Sequence, residues 1–159
     1  MIKNRILGAT LIAMASLVPF IVTLAIVVVR PLASGAAVVA MIDYGAIVLS
    51  FSGAVHWGFA LRGTQPDDQQ RGGYQLVFGT IPALVGFLAL LCTTQLDASG
   101  VALGMLTAGY FATIVGETIG RGRQLVPTGY LVIRWVMSIV TLGVLVSTLF
   151  IVLVGMRSV

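Results

Sequence analysis

Charge is what this chain most lacks. Of 159 residues, 9% are charged and 58% hydrophobic, and the mean hydropathy is +1.08. A soluble domain carries about 25% charged residues, so most of this surface must meet lipid or other protein. Histidine and cysteine are present once each, as His56 and Cys92. One cysteine excludes an intrachain disulfide, a CxxC redox or zinc pair and a CxxCH haem attachment. One histidine excludes bis-histidine haem ligation within one chain, and no Cys/His cluster is available for a metal. No cofactor is therefore expected. The nine Lys and Arg sit at the ends of apolar segments instead of forming a patch. They read as orientation signals, and nucleic acid is not an expected partner.

Apolar length is what the chain has in abundance. A helix needs about 20 apolar residues to cross a bilayer core. Five segments qualify, over about residues 6–29, 38–61, 74–94, 100–119 and 130–154. The expected fold is all-α: a polytopic helical bundle of five transmembrane helices forming a single domain over 1–159. The first segment follows Lys3 and Arg5, as a signal peptide would. Its uncharged run of 24 residues from Ile6 to Val29 exceeds the roughly 7–15 of a signal h-region, so a retained helix is expected. With five spans, Lys3, Arg5, Arg62, Arg71, Arg121, Arg123 and Arg134 fall on one side, and Arg30 and Arg157 on the other. The positive-inside rule then places the N-terminus in the cytoplasm and the C-terminus in the periplasm. Ile6 leaves little room for a transit peptide, which makes a bacterial inner membrane the expected location.

The connections are short, so successive helices should be antiparallel neighbours. The longest, Arg62 to Gly73, is polar and rich in turn formers. Pro19 and Pro82 fall near the middles of the first and third spans and should kink both. On the fourth span, Gly100, Gly104, Ala108, Ala112, Gly116 and Gly120 place a small residue at every fourth position. Such a row allows close helix approach in lipid, which predicts a central helix or a dimer seam.

The second span carries polar groups on two faces. At 100° per residue, Gly45, Ser52 and His56 gather within about 40° of one another, with Asp43, Ser50 and Trp57 opposite. Lipid satisfies none of these groups, so this helix should be surrounded by protein. His56 precedes Arg62 by six residues, roughly 9 Å along the axis. Glu117 and Arg134 lie at a similar depth, near the facing ends of the fourth and fifth spans. Intramembrane charges usually pair, so Glu117 and Arg134 are expected to meet across the 120–129 connection with His56 close by. The plain reading is a structural salt bridge. The sharper one is an inner-leaflet pocket for a head group, a quinone or a proton. Trp57 and Tyr130 fit interfacial anchoring.

The segment Tyr44-Gly-Ala-x3-Leu-Ser-Phe-x-Gly-x2-His-Trp-Gly, which holds Tyr44, Gly45, Ser50, His56, Trp57 and Gly58, resembles the signature of the DUF3429 family. That family is related to the C-terminal region of the mitochondrial transmembrane protein 69. Tyr130-x3-Arg134 resembles the element that begins the family's last span. The resemblance covers nearly the whole chain and implies a small multi-spanning membrane protein without an assigned activity. Val85-Gly86-Phe87 departs from the family pattern, in which a Trp often follows the third-span proline.

Three function classes follow, in order of expectation. The first is a non-catalytic protein that binds membrane lipids and another integral membrane protein or complex, or a second copy of itself, as an accessory, assembly or stabilising subunit. The second is a small proton-linked transporter or a lipid- or quinone-binding protein using His56, Glu117 and Arg134. The third is an enzyme or haem protein, for which no catalytic set and no metal-ligand set stands out.

Overall fold

The computed structural model describes residues 2–30, 34–61, 66–122 and 128–157, with side chains for residues 8, 10–30, 34–61, 72–120 and 130–155. Every regular element among them is a helix: α1 (Ile2–Ala15), α2 (Val18–Val29), α3 (Ser34–Ala60), α4 (Pro66–Leu96), α5 (Ser99–Gly122) and α6 (Thr128–Arg157). Five stretches are long and apolar enough to cross a bilayer: Thr10–Val29, Ser34–Ala60, Gly72–Leu96, Ser99–Gly120 and Tyr130–Gly155. They coincide with the five spans expected from hydropathy to within about four residues at each end.

The two span prolines act differently. The first span breaks at Ser16-Leu17, two residues before Pro19, which sits in the first turn of α2. Pro19 has no N–H to offer the carbonyl of Ala15, and its ring crowds that position. The break is tied down on both sides. The Ser16 hydroxyl donates to Ala13 O (2.7 Å), and the Tyr44 hydroxyl of α3 donates to Ser16 O (2.8 Å). Tyr44→Phe is expected to cost about 1 kcal/mol, since it strands a partly buried carbonyl at a helix break. The check is thermal melting by circular dichroism in detergent, where an unchanged midpoint would show that the hydroxyl does not hold the break. Pro82, by contrast, lies inside a continuous α4.

The polar stretch expected as a loop over 62–73 is helical from Pro66 onward. Proline suits the first helical position. Residues 62–65 and 123–127 lie outside the described residues. Between α4 and α5 the chain turns in two residues. Asp97 takes a left-handed φ of 50°, and Ala98 N–H reaches back to Cys92 O at 3.0 Å. This six-to-one bond closes the end of α4 and returns α5 antiparallel to it.

The centre of the bundle belongs to α3, packed against α2, α4 and α5. Met41, Ile42 and Leu49 are fully enclosed, and Ala46, Ser52 and His56 nearly so. The side carrying Gly45, Ser52 and His56 is buried, whereas on the opposite side Asp43 and Ser50 are half-buried and Trp57 is exposed, so protein surrounds this helix only in part. Toward α5, Gly45 lies under Leu106 and Phe20, and Tyr110 Oη donates to Gly45 O at 3.0 Å. Toward α4, backbones approach directly: a Cβ on Gly53 would strike Gly79 O, and one on Gly86 would come within 2.9 Å of Ala46 O. Ala46 and Gly53, and likewise Gly79 and Gly86, are seven residues apart and so share a face.

The row of small residues on α5 is not the packing face, and α5 is not the central helix. Its enclosed residues are Ala102, Leu103, Leu106, Gly109, Tyr110, Thr113, Ile114, Glu117 and Gly120. Four residues turn a helix by about 400°, so a strict four-residue row rotates about 40° per step and about 200° from 100 to 120. Gly100 is half-buried, Gly104 faces open space, and Ala108 and Ala112 are exposed. Gly116 comes up against the Phe78 ring, and Gly120 is buried. The close approach falls instead at Gly109, where an added Cβ would lie 2.9 Å from both Leu49 Cδ2 and Val85 Cγ1.

Candidate functional site

Three polar side chains from two helices converge on one carboxylate of a third. Glu117 of α5 is fully enclosed. Its Oε1 lies 3.3 Å from His56 Nε2 of α3 and accepts from the Tyr130 hydroxyl of α6 at 3.3 Å. Nε of Arg134, also on α6, donates to both carboxylate oxygens at 3.2 Å. His56 donates to Oε1 in the tautomer that carries its proton on Nε2. His56 is 2% exposed and Arg134 9%, so little water shares the site.

Helical geometry brings these groups to one depth. Glu117 lies near the end of α5, Tyr130 and Arg134 near the start of α6, and the two helices are joined by a short connection. Tyr130 and Arg134 are four residues apart and face the same way. His56 enters from α3 on the face that also carries Gly45 and Ser52. Aromatic edges close the surroundings. Phe78 and Phe59 stand edge-on to the imidazole at centroid distances of 4.8 and 5.9 Å, and Phe59 meets Tyr130 at 5.5 Å. Phe78 comes this close because Gly116, one residue before Glu117, has no side chain in its way.

Electrostatically, the Arg134 guanidinium neutralises the Glu117 carboxylate inside a low-dielectric bundle. Such a pair with one partner removed leaves an uncompensated buried charge, so each member enforces the other. The cluster therefore cross-braces α3, α5 and α6. The Ser52 hydroxyl turns back to Leu49 O at 2.6 Å. Asp43 lies 13 residues from His56 along α3, about 20 Å away.

His56, Glu117, Tyr130 and Arg134, all named from sequence, thus share one site. Trp57 does not join them. It is 48% exposed and lies over Gly79, where an added Cβ would sit 2.6 Å from its Cδ1. Among the other signature residues, Tyr44 and Gly45 serve the α2–α3–α5 contact. The Ser50 hydroxyl bonds Ala46 O at 2.7 Å, and Gly58 faces open space. Sequence reasoning passed over Phe59, Phe78 and Ser138. Ser138 had a signal, since it follows Arg134 by four residues on the same face of α6.

Fold and site together define a multi-pass membrane protein whose helices are braced by a buried ion cluster. The chain belongs to the family described as "Protein of unknown function (DUF3429)", whose sequence profile matches residues 7–150. It is also similar to Transmembrane protein 69 of Xenopus tropicalis, at 31% identity over 104 residues. That stretch is 65% of this chain and 40% of the frog protein, so this chain corresponds to less than half of that relative. No solved structure matches.

Proposed function

We propose that this chain is a non-catalytic accessory, assembly or stabilising subunit of another integral membrane complex. In this reading it resides in a bacterial inner membrane with its N-terminus in the cytoplasm and its C-terminus in the periplasm. The observation that carries it is the closure of the site. His56, Tyr130 and Arg134 are each bonded to Glu117, and His56, Glu117 and Arg134 are buried while Tyr130 is half-buried. What the bundle presents outward is apolar, including Phe51, Phe87, Phe111 and Phe150. A rigid apolar bundle is suited to pack beside other membrane helices, and Gly104, Ala108 and Ala112 leave room for close approach on α5.

The test is extraction from native membranes in a mild detergent, followed by native-gel separation, mass spectrometry and an absorption spectrum. Migration with a larger assembly is the expected result. A chain that runs alone, with no partner crosslinked to it in intact membranes, would sink the proposal. The transporter alternative predicts proton-driven uptake into vesicles that is abolished by Glu117→Gln.

A further inference from the structure

Arg134 and Ser138 are one turn apart on α6, and both are enclosed, at 9% and 1% exposure. Yet among the described residues neither Nη2 of Arg134 nor Oγ of Ser138 has a hydrogen-bond partner. The guanidinium carries five N–H donors and no acceptor, and Glu117 is served by Nε. Ser138 departs from the other hydroxyls of the spans. Ser50, Thr93, Thr107, Thr113, Ser147 and Thr148 each donate to the carbonyl four residues back, which satisfies them on their own helix. Ser138 makes no such bond, and it follows Arg134 by four residues on the same face of α6. Buried polar groups without partners are costly, so each one in a native protein calls for an explanation such as a water, an ion or a functional role.

We infer that Arg134 Nη2 and Ser138 Oγ hold the neutral carbonyl oxygen of a membrane-soluble ligand. A surplus of donors calls for an acceptor. Charge then selects its class. Glu117 already balances Arg134, so an anionic ligand would bring an uncompensated charge into a low-dielectric site, whereas a carbonyl brings none. Depth selects its solubility: the two residues lie four and eight positions inside the span that begins at Tyr130, about 6 and 12 Å in. Two kinds of membrane molecule carry such an oxygen, a quinone and the ester group of a lipid. The inference does not depend on the subunit reading and would hold for the chain alone.

The experiment uses the purified full chain and two probes. In the first arm, carbonyl-labelled decyl-benzoquinone is titrated in and its C=O stretch followed by infrared difference spectroscopy. A downshifted band is expected on binding. Ser138→Ala should weaken binding roughly five- to tenfold, the effect of one hydrogen bond. Arg134→Lys keeps the charge but loses Nη2 and should weaken it more than tenfold. In the second arm, protein recovered from nanodiscs of phosphatidylethanolamine and phosphatidylglycerol is examined by native mass spectrometry. Retention of a lipid that is lost in Ser138→Ala assigns the site to an ester. Because Ser138→Ala leaves the ion pair untouched, its unchanged melting certifies the fold. Failure of both probes to bind, or binding by both variants at wild-type affinity, would overturn the inference.

Discussion

Arg134→Ala should be among the most damaging single substitutions in this chain. The change leaves the Glu117 carboxylate at 0% exposure with a histidine and a phenol as its remaining partners. Breaking one side of a buried ion pair costs about 3–5 kcal/mol, because the stranded charge keeps its desolvation penalty and loses its Coulombic compensation. In a chain of this length the melting midpoint should fall by on the order of 10 °C, with lower yield from membranes. Arg30→Ala is the matched control: the Arg30 side chain is exposed at the end of α2, and its loss should stay within about 0.5 kcal/mol. Removing both charges, as in Glu117→Gln with Arg134→Met, should recover more than half of the loss, since no buried charge is then left alone. Equal melting of Arg134→Ala and Arg30→Ala would show that Arg134 reaches the interface on its own and does not brace the bundle.

The partners in this cluster were legible in the sequence for a physical reason. Charges are so scarce in this chain that Glu117 and Arg134 had few alternatives to each other, and lipid makes pairing nearly compulsory. A short connection between antiparallel helices then equates depth with distance from the helix ends, and this placed His56 at the level of Glu117 and Arg134. Tyr130, expected as an interfacial anchor, joins them one turn before Arg134. Trp57 does not reach the cluster and lies in a groove over Gly79, a placement that the sequence of α3 did not supply. The groove depends on Gly79 of a different helix, and one helix's periodicity says nothing of its neighbour. The α5 row misled only as the sign of a central helix. Its period of 4.0 looks regular on paper, but a helix of 3.6 residues per turn carries it around the cylinder. The prolines show the same dependence on partners. The break before Pro19 is held by Tyr44 of α3. Pro82 stays inside a continuous helix whose ring packs on α3, with Cγ 3.1 Å from the place a Gly53 Cβ would take.

That contact makes Gly53→Ala the second large effect. Gly53 and Gly79 bring the α3 and α4 backbones together, and one methyl group on Gly53 would overlap the carbonyl oxygen of Gly79. The other two nearest atoms are Pro82 Cγ and Cβ at 3.1 and 3.2 Å, which belong to a rigid ring. None of the three is the far end of a flexible side chain, so relief requires the two helices to separate. Overpacking of a well-packed interior costs about 1–3 kcal/mol, and separation along this seam also loosens Ser50 from Gly86 and Trp57 from Gly79. The loss should therefore lie near the upper end of that range. Gly104→Ala supplies the contrast, because no atom lies within 4 Å of its added methyl and alanine is the better helix former. In detergent melts, Gly53→Ala should fall well below wild type while Gly104→Ala stays level or rises. The reverse order would move the close packing from the α3–α4 seam to the small-residue row of α5. It would also restore α5 as the helix on which the bundle, or its pairing with another, is built.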